Sequence, residues 1–122
     1  MNTNKQTGQE YEKTAATLLK KAGYKILTTN YLTRMGEIDI IASKEDYIVF
    51  IEVKYRKSAN FGAASEFVSK SKQAKIIKSA LAYIKKHYLH DKSFRFDVVA
   101  ITGSETEIIE NAYAVETGKY YI

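Results

Sequence analysis

Residues 47–57 read YIVFIEVKYRK, the most strand-like run in the chain, and a carboxylate and an amine, Glu52 and Lys54, lie inside it ahead of the closing Arg56 and Lys57. β-Branched and aromatic residues fill most of the other positions, which is the composition of a strand. Side chains alternate faces along a strand, so Glu52 and Lys54 share one face. Two readings compete. In one, the strand is half exposed and the pair are ordinary charges on its wet face, where a cross-strand ion pair contributes about 0.2–1 kcal/mol. In the other, Ile48, Val49, Phe50, Ile51 and Val53 make both faces apolar because the sheet is covered on both sides. Charges in such a strand must be paired, bound to a metal, or carried at a strand end facing a cleft.

The neighbouring segments bear on that choice. GEIDIIAS (36–43) is a second strong strand, joined to the first by KED, which suits a tight hairpin. Glu37 and Asp39 share one face of it, so an in-register hairpin brings acids and lysine together near the end of the sheet. Upstream, YKILTTN (24–30) reads as a short strand. Before it, Tyr11, Ala15, Leu18, Leu19 and Ala22 recur at helical spacing over residues 5–22, and Gly23 stands where a helix ends. Downstream, ANFGAAS (59–65) is loop-like. A helix follows, from residue 66 or 70 to 88, with Ala74, Ile77, Ala80, Leu81 and Ile84 on one face. FRFDVVAIT (94–102) and EIIENAYAV (107–115) read as two more strands around the turn GSET. The order α-β-β-β-α-β-β implies an α/β domain with a mixed sheet, since hairpins and crossovers both occur.

Length and composition bound the function. The 122 residues are expected to form a single domain, 1–122, and 45% hydrophobic with 27% charged residues is ordinary for a soluble globular protein. No apolar run approaches the roughly 20 residues that span a bilayer, so no membrane partner is expected. The polar start MNTNKQTGQEYEK lacks a secretory apolar segment, and a cytoplasmic protein is the expectation. The absence of cysteine excludes disulfides and thiolate zinc sites. His87 and His90, the two histidines, are expected near a helix C-terminus, where positive charge is favourable. The net charge of +5 is uneven: from Lys54 to Lys92 there are ten basic residues and two acids. A basic middle suits a polyanionic partner, although lysines also serve simply to solvate long helices.

A pair of carboxylates is what a hard divalent ion such as Mg2+ seeks, because it prefers oxygen ligands and keeps several waters. A lysine ammonium beside it orients or helps deprotonate a water and stabilises charge on an attacked phosphate. Two acids, a lysine and a metal are a sufficient kit for hydrolysing a phosphodiester.

The ordered series GEIDIIA, VFIEVKYRKSANFG and RFDVVAI, with GYKIL…N (23–30) and FGAASEFVSKSKQAKI (61–76), resembles the YraN-like family of small bacterial proteins. The resemblance runs from Gly8 to the NAY at 111–113. That family is related to restriction endonucleases of the PD-(D/E)xK class and to archaeal Holliday-junction resolvases. It implies a restriction-endonuclease-like αβββαβ core, a central mixed sheet flanked by helices. Asp39 and Glu52 match the acids of the motif and Lys54 its lysine. Glu12, four residues after Gly8, matches a helical glutamate of the resolvases. The implied roles are Mg2+ or Mn2+ held by Asp39, Glu52 and the Val53 carbonyl, with Lys54 assisting the water and Glu12 supporting the metal. Glu37 is a further metal candidate or a structural partner of Arg34 or Arg56. Where the family pattern often has glycine, position 11 is Tyr.

Lys72, placed as the family's lysine is, together with Arg56, Lys57 and Lys75, fits a DNA track. Phosphate contacts of that kind give salt-dependent binding with little sequence information. Tyr55 and Phe61 are candidates for stacking on bases, or for packing at the rim of the core. The expected function is a metal-dependent endonuclease acting on structured or branched DNA. The alternative is a nuclease-fold module that binds nucleic acid or a protein without cutting. The related resolvases are homodimers, and the sequence marks no dimer surface, so oligomeric state stays open.

Overall fold

The computed structural model describes residues 4–56 and 68–115, with only the backbone of residues 4–7. Among the described residues the elements are α1 (Asn4–Lys21), β1 (Lys25–Thr33), β2 (Gly36–Lys44), β3 (Tyr47–Arg56), α2 (Lys70–Lys86), β4 (Ser93–Thr102) and β5 (Glu105–Ile109). The strands form one sheet in the order β1-β2-β3-β4-β5. Its neighbours are antiparallel except β3 and β4, which are parallel. A parallel pair cannot be closed by a hairpin, and the connection carrying α2 supplies the crossover. The molecule is therefore an α/β protein with a mixed sheet.

Each helix covers one face. Ala15 and Leu19 of α1 are buried against Ile40, Ala42, Val49, Ile51, Val99 and Ile101. Ile76, Ile77, Ala80, Tyr83 and Ile84 of α2 pack on Ile38, Ile41, Ile48, Phe50, Phe96 and Val98. Even-numbered residues of β3 thus face α2 and odd-numbered ones face α1. Ile48 through Glu52 are all buried, so the strand is covered on both sides and Glu52 is not on a wet face.

Helix ends are set by local chemistry. Gly23, at φ 93°, ends α1 in the left-handed conformation that glycine adopts without strain. There Gly23 N–H donates to Lys20 O and Tyr24 N–H to Leu19 O, satisfying carbonyls the helix leaves open. The Ser69 hydroxyl caps α2 by accepting from Lys72 N–H at 3.2 Å. At the other end of α2 His87 is the C-cap, and Tyr88 takes φ 55° while Leu89 N–H reaches back to Ile84 O. Tyr88 is 86% exposed, so its side chain returns little packing for that backbone strain. Tyr88→Gly should therefore stabilise the protein by about 0.5–1 kcal/mol in urea unfolding.

Four sequence expectations need correction. Ala22 is exposed, because the helix has already turned off at Gly23. The buried stripe of α2 is rotated from the expected one: Ala74 and Leu81 are half-buried, whereas Gln73, Ile76, Ser79 and Tyr83 are buried. The polar members are tolerated because they are bonded: Gln73 Nε2 donates to Val68 O at 2.9 Å, and Ser79 Oγ lies 2.8 Å from Thr33 Oγ1. Strand β1 runs on to Thr33 because Tyr31, Leu32 and Thr33 keep pairing with Ile38, Glu37 and Gly36. Strand β5 stops at Ile109, since Asn111 at φ 51° bends the chain and lets Tyr113 stack on Phe96. The expected loop at 59–65, with Lys57 and Phe61, lies outside the described residues.

Candidate active site

The β2–β3 ladder runs from Lys44↔Tyr47 to Ile40↔Ile51 and ends there. The next position in register sets Asp39 beside Glu52. Here a side chain replaces the backbone: Asp39 Oδ2 accepts the Val53 N–H at 2.8 Å. The regular alternation expected through GEIDIIA breaks at the same point. Ile38 and Ile41 pack toward α2, while Ile40 and Ala42 pack toward α1. Across β1 the pairing also skips this level, where Asn30 takes φ 52° between Thr29↔Ile40 and Tyr31↔Ile38. Three strands thus loosen around one aspartate.

Two carboxyl groups meet there. Glu52 is 7% exposed and stands beside Asp39 in register. Burial, then the Asp39 charge, pushes the Glu52 carboxyl from the usual 4.5 up to about 7, against the opposing charges of Lys72 and Lys54. Burial also raises Asp39, but the Val53 N–H and Lys72 both favour its anion. Burial thus favours the protonated form of Glu52, while Asp39 is the better supported anion of the two. Glu52 Oε2 is buried and has no hydrogen-bond partner.

Glu12 of α1 lies near enough for the charges of Asp39 and Glu37 to act on its carboxyl. Burial raises its carboxyl, and the charges of Asp39 and Glu37 raise it further, while a hydrogen bond from the Asn30 side chain opposes them. Its Oε1 is likewise buried without a partner. Tyr11, where the resemblance leads glycine to be expected, stacks on Tyr55 with ring centroids 4.3 Å apart.

The basic residues divide. Lys54 and Arg56 share the α2-facing side of β3 with Glu52, and the Lys54 charge acts on the Glu52 carboxyl. Lys72, expected on a DNA track, points at the carboxylates: its Nζ is 4.0 Å from Glu52 Oε1. Lys75, one turn further on, is exposed.

The metal question turns on the donor set. Among the described residues no group of three or more His, Cys, Asp or Glu is spaced to hold a metal ion. Mg2+ does not require such a cage, since it is commonly bound through one or two carboxylates plus water. Two adjoining carboxylates, one with an orphaned buried oxygen, fit that mode.

A pH dependence follows for the metal-free protein. The folded-state value for Glu52 lies above the usual 4.5, so the folded protein binds the extra proton between about 4.5 and about 7. Stability should then be highest at the acidic side of that window and fall as pH rises through it. Denaturant titrations across the window should show the fall, and Glu52→Gln, which has no proton to lose, should flatten it.

Sequence reasoning did not single out Asn30, and it missed a second buried cluster. Asp97 is fully buried, and Arg95 clasps it through Nε and Nη2 at 2.9 Å each. Tyr24 Oη donates to Asp97 Oδ2 at 2.7 Å and Asn111 N–H to Oδ1 at 2.9 Å. Every Asp97 oxygen is engaged, which makes this a structural clasp. The signal was in RFDVV: two alternating charges in an apolar strand, the same pattern that marks Glu52 and Lys54.

Fold and site together define an α/β protein with a carboxylate pair, one buried and one half-buried, and nearby lysines at the end of its mixed sheet. The chain belongs to the uncharacterised protein family UPF0102, whose model matches residues 11–101. It is 46% identical to a UPF0102 protein of Sulfurihydrogenibium sp. over 91% of this chain and 96% of that one. A UPF0102 protein of Fusobacterium nucleatum is also 46% identical, over 91% of this chain and 92% of its own. One from Syntrophus aciditrophicus is 42% identical over 98% and 97% of the two chains. Among the described residues no helix is long and apolar enough to cross a membrane.

Proposed function

We propose that this protein is a metal-dependent endonuclease of the restriction-endonuclease-like class, hydrolysing phosphodiesters in branched or otherwise structured DNA. The observation that carries the reading is the adjoining Asp39 and Glu52 carboxyls, with Glu52 buried, one of its oxygens unpartnered, and Lys54 on the same face. Leaving a buried carboxylate oxygen unbonded costs stability, and a site that later receives a cation is a reason to retain it.

Asp39, Glu52 and the Val53 carbonyl would hold Mg2+ or Mn2+, with Glu12 supporting from α1. The bound ion supplies Lewis acidity to the phosphate and acidifies a water. The protein's own groups do the rest. The Val53 N–H fixes the Asp39 carboxylate. Lys54 orients the attacking water and offsets charge at the phosphorus. Arg56 and Lys75 take backbone phosphates, which favours shape over sequence.

A second reading, a module that binds nucleic acid or a protein without cutting, draws on the lack of a three-acid cluster among the described residues. Incubation with four-way junctions, flaps, single strands and duplex in Mg2+ or Mn2+ separates the two. The endonuclease reading predicts cutting of at least one branched substrate in preference to duplex. Salt-sensitive binding with no cutting of any substrate would favour the binding module.

A further inference from the structure

We propose that Lys72 is a tethered cation of this site: it rests against the carboxylate pair in the metal-free protein and turns to a substrate phosphate when the pair holds its metal. The proposal rests on the reading of that pair as a metal site.

Lys72 stands in the first turn of α2, where its Nζ is 4.0 Å from Glu52 Oε1. That turn contains Lys70 and Lys72 and no acid. The positive end of a helix dipole disfavours lysine there, so helix energetics does not account for the choice. The facing carboxylates do. The Lys72 charge acts on both Asp39 and Glu52, opposing the effect of burial on each.

The two ends of this contact differ in freedom. Glu52 is held in the sheet with 8% of its side chain exposed, whereas Lys72 is 43% exposed. A half-exposed lysine on a flexible stem can leave; a buried glutamate cannot. A divalent ion on the same oxygens would repel the ammonium, which binds phosphate as a point charge wherever it is free. Lys72 would thus neutralise the pair at rest and serve the substrate afterwards, a role different from that of exposed Lys75.

The test titrates Mn2+ alone into wild type, Lys72→Met, Lys72→Arg and Lys78→Met by calorimetry at about pH 8.5, above the Glu52 titration. Removing a competing half-exposed ammonium should tighten Mn2+ binding in Lys72→Met by about three- to tenfold. Lys72→Arg, which keeps the charge, and Lys78→Met, exposed elsewhere on α2, should stay within about twofold of wild type. DNA supplies the second readout. Lys72→Met should weaken binding to a four-way junction about three- to tenfold in Ca2+, and by no more than about twofold without divalent ion. Wild type that binds Mn2+ with unchanged or weaker binding in Lys72→Met overturns the tethered-cation role alone. So does an equal loss of junction binding with and without Ca2+. Wild type that takes up no Mn2+ overturns this role and the metal site together.

Discussion

Asp39→Asn and Glu52→Gln should each reduce Mg2+-dependent DNA cleavage by about a thousandfold, the scale on which a group that holds charge at the reacting centre contributes. Both substitutions preserve volume. The Asp39→Asn amide keeps an oxygen able to accept the Val53 N–H that Asp39 now takes at 2.8 Å, so folding should survive. Each variant should also lose most of its Mn2+ affinity, because a neutral amide replaces a carboxylate ligand. Lys54→Met supplies the contrast: it should lose about a hundredfold or more in rate while still binding Mn2+, since Lys54 is assigned to the water and the phosphate. Rate and metal titration on the same preparations check both parts. If the two carboxylate variants cut as wild type does, the site is elsewhere.

The second large effect concerns stability. Asp97→Ala should destabilise the protein by about 3–5 kcal/mol, the cost of removing one partner from a buried ion pair. The substitution would leave the Asn111 N–H without its acceptor, and the Arg95 guanidinium and Tyr24 hydroxyl with only the Glu110 carboxylate, at 3.8 and 3.5 Å, in place of that of Asp97. Against a total of about 5–15 kcal/mol that loss is severe, and it should lower Tm by roughly 10–20 °C. The clasp ties the residue after the α1 cap, Tyr24, to β4 and to the turn following β5. Arg95→Met alone should cost less, because Asp97 keeps Tyr24 and Asn111 as donors. Combined with Asp97→Ala it should cost clearly less than the sum of the two single changes. Thermal unfolding of the four proteins measures the coupling.

The five strands were legible along the chain, though not the ends of β1 and β5, because most of their residues satisfy one rule: β-branched runs bounded by turn residues. Asp39, Glu52 and Lys54 were legible for the opposite reason, as charges where that rule expects apolar side chains. The rest depended on information that period and composition do not carry. Lys72 was expected on a DNA track; that it points at Glu52 depends on the rotation of α2, in which buried Gln73 and Ser79 bond Val68 and Thr33. Asn30 looks like the end of a strand. Its backbone is left-handed, at φ 52°, yet β1 pairs with β2 on both sides of it. The end of β5 was misread because EIIENAYAV alternates like a strand, whereas Asn111 N–H is taken by Asp97, a partner remote in sequence.

Crystals grown in Mn2+ and measured at the manganese absorption edge test the central claim, that the carboxylate pair at the end of β2 and β3 is a divalent-cation site. The account predicts an anomalous peak between the Asp39 and Glu52 carboxylates, within coordination distance of both. A crystal at saturating Mn2+ with no peak there, and with Lys72 still on Glu52, would contradict it.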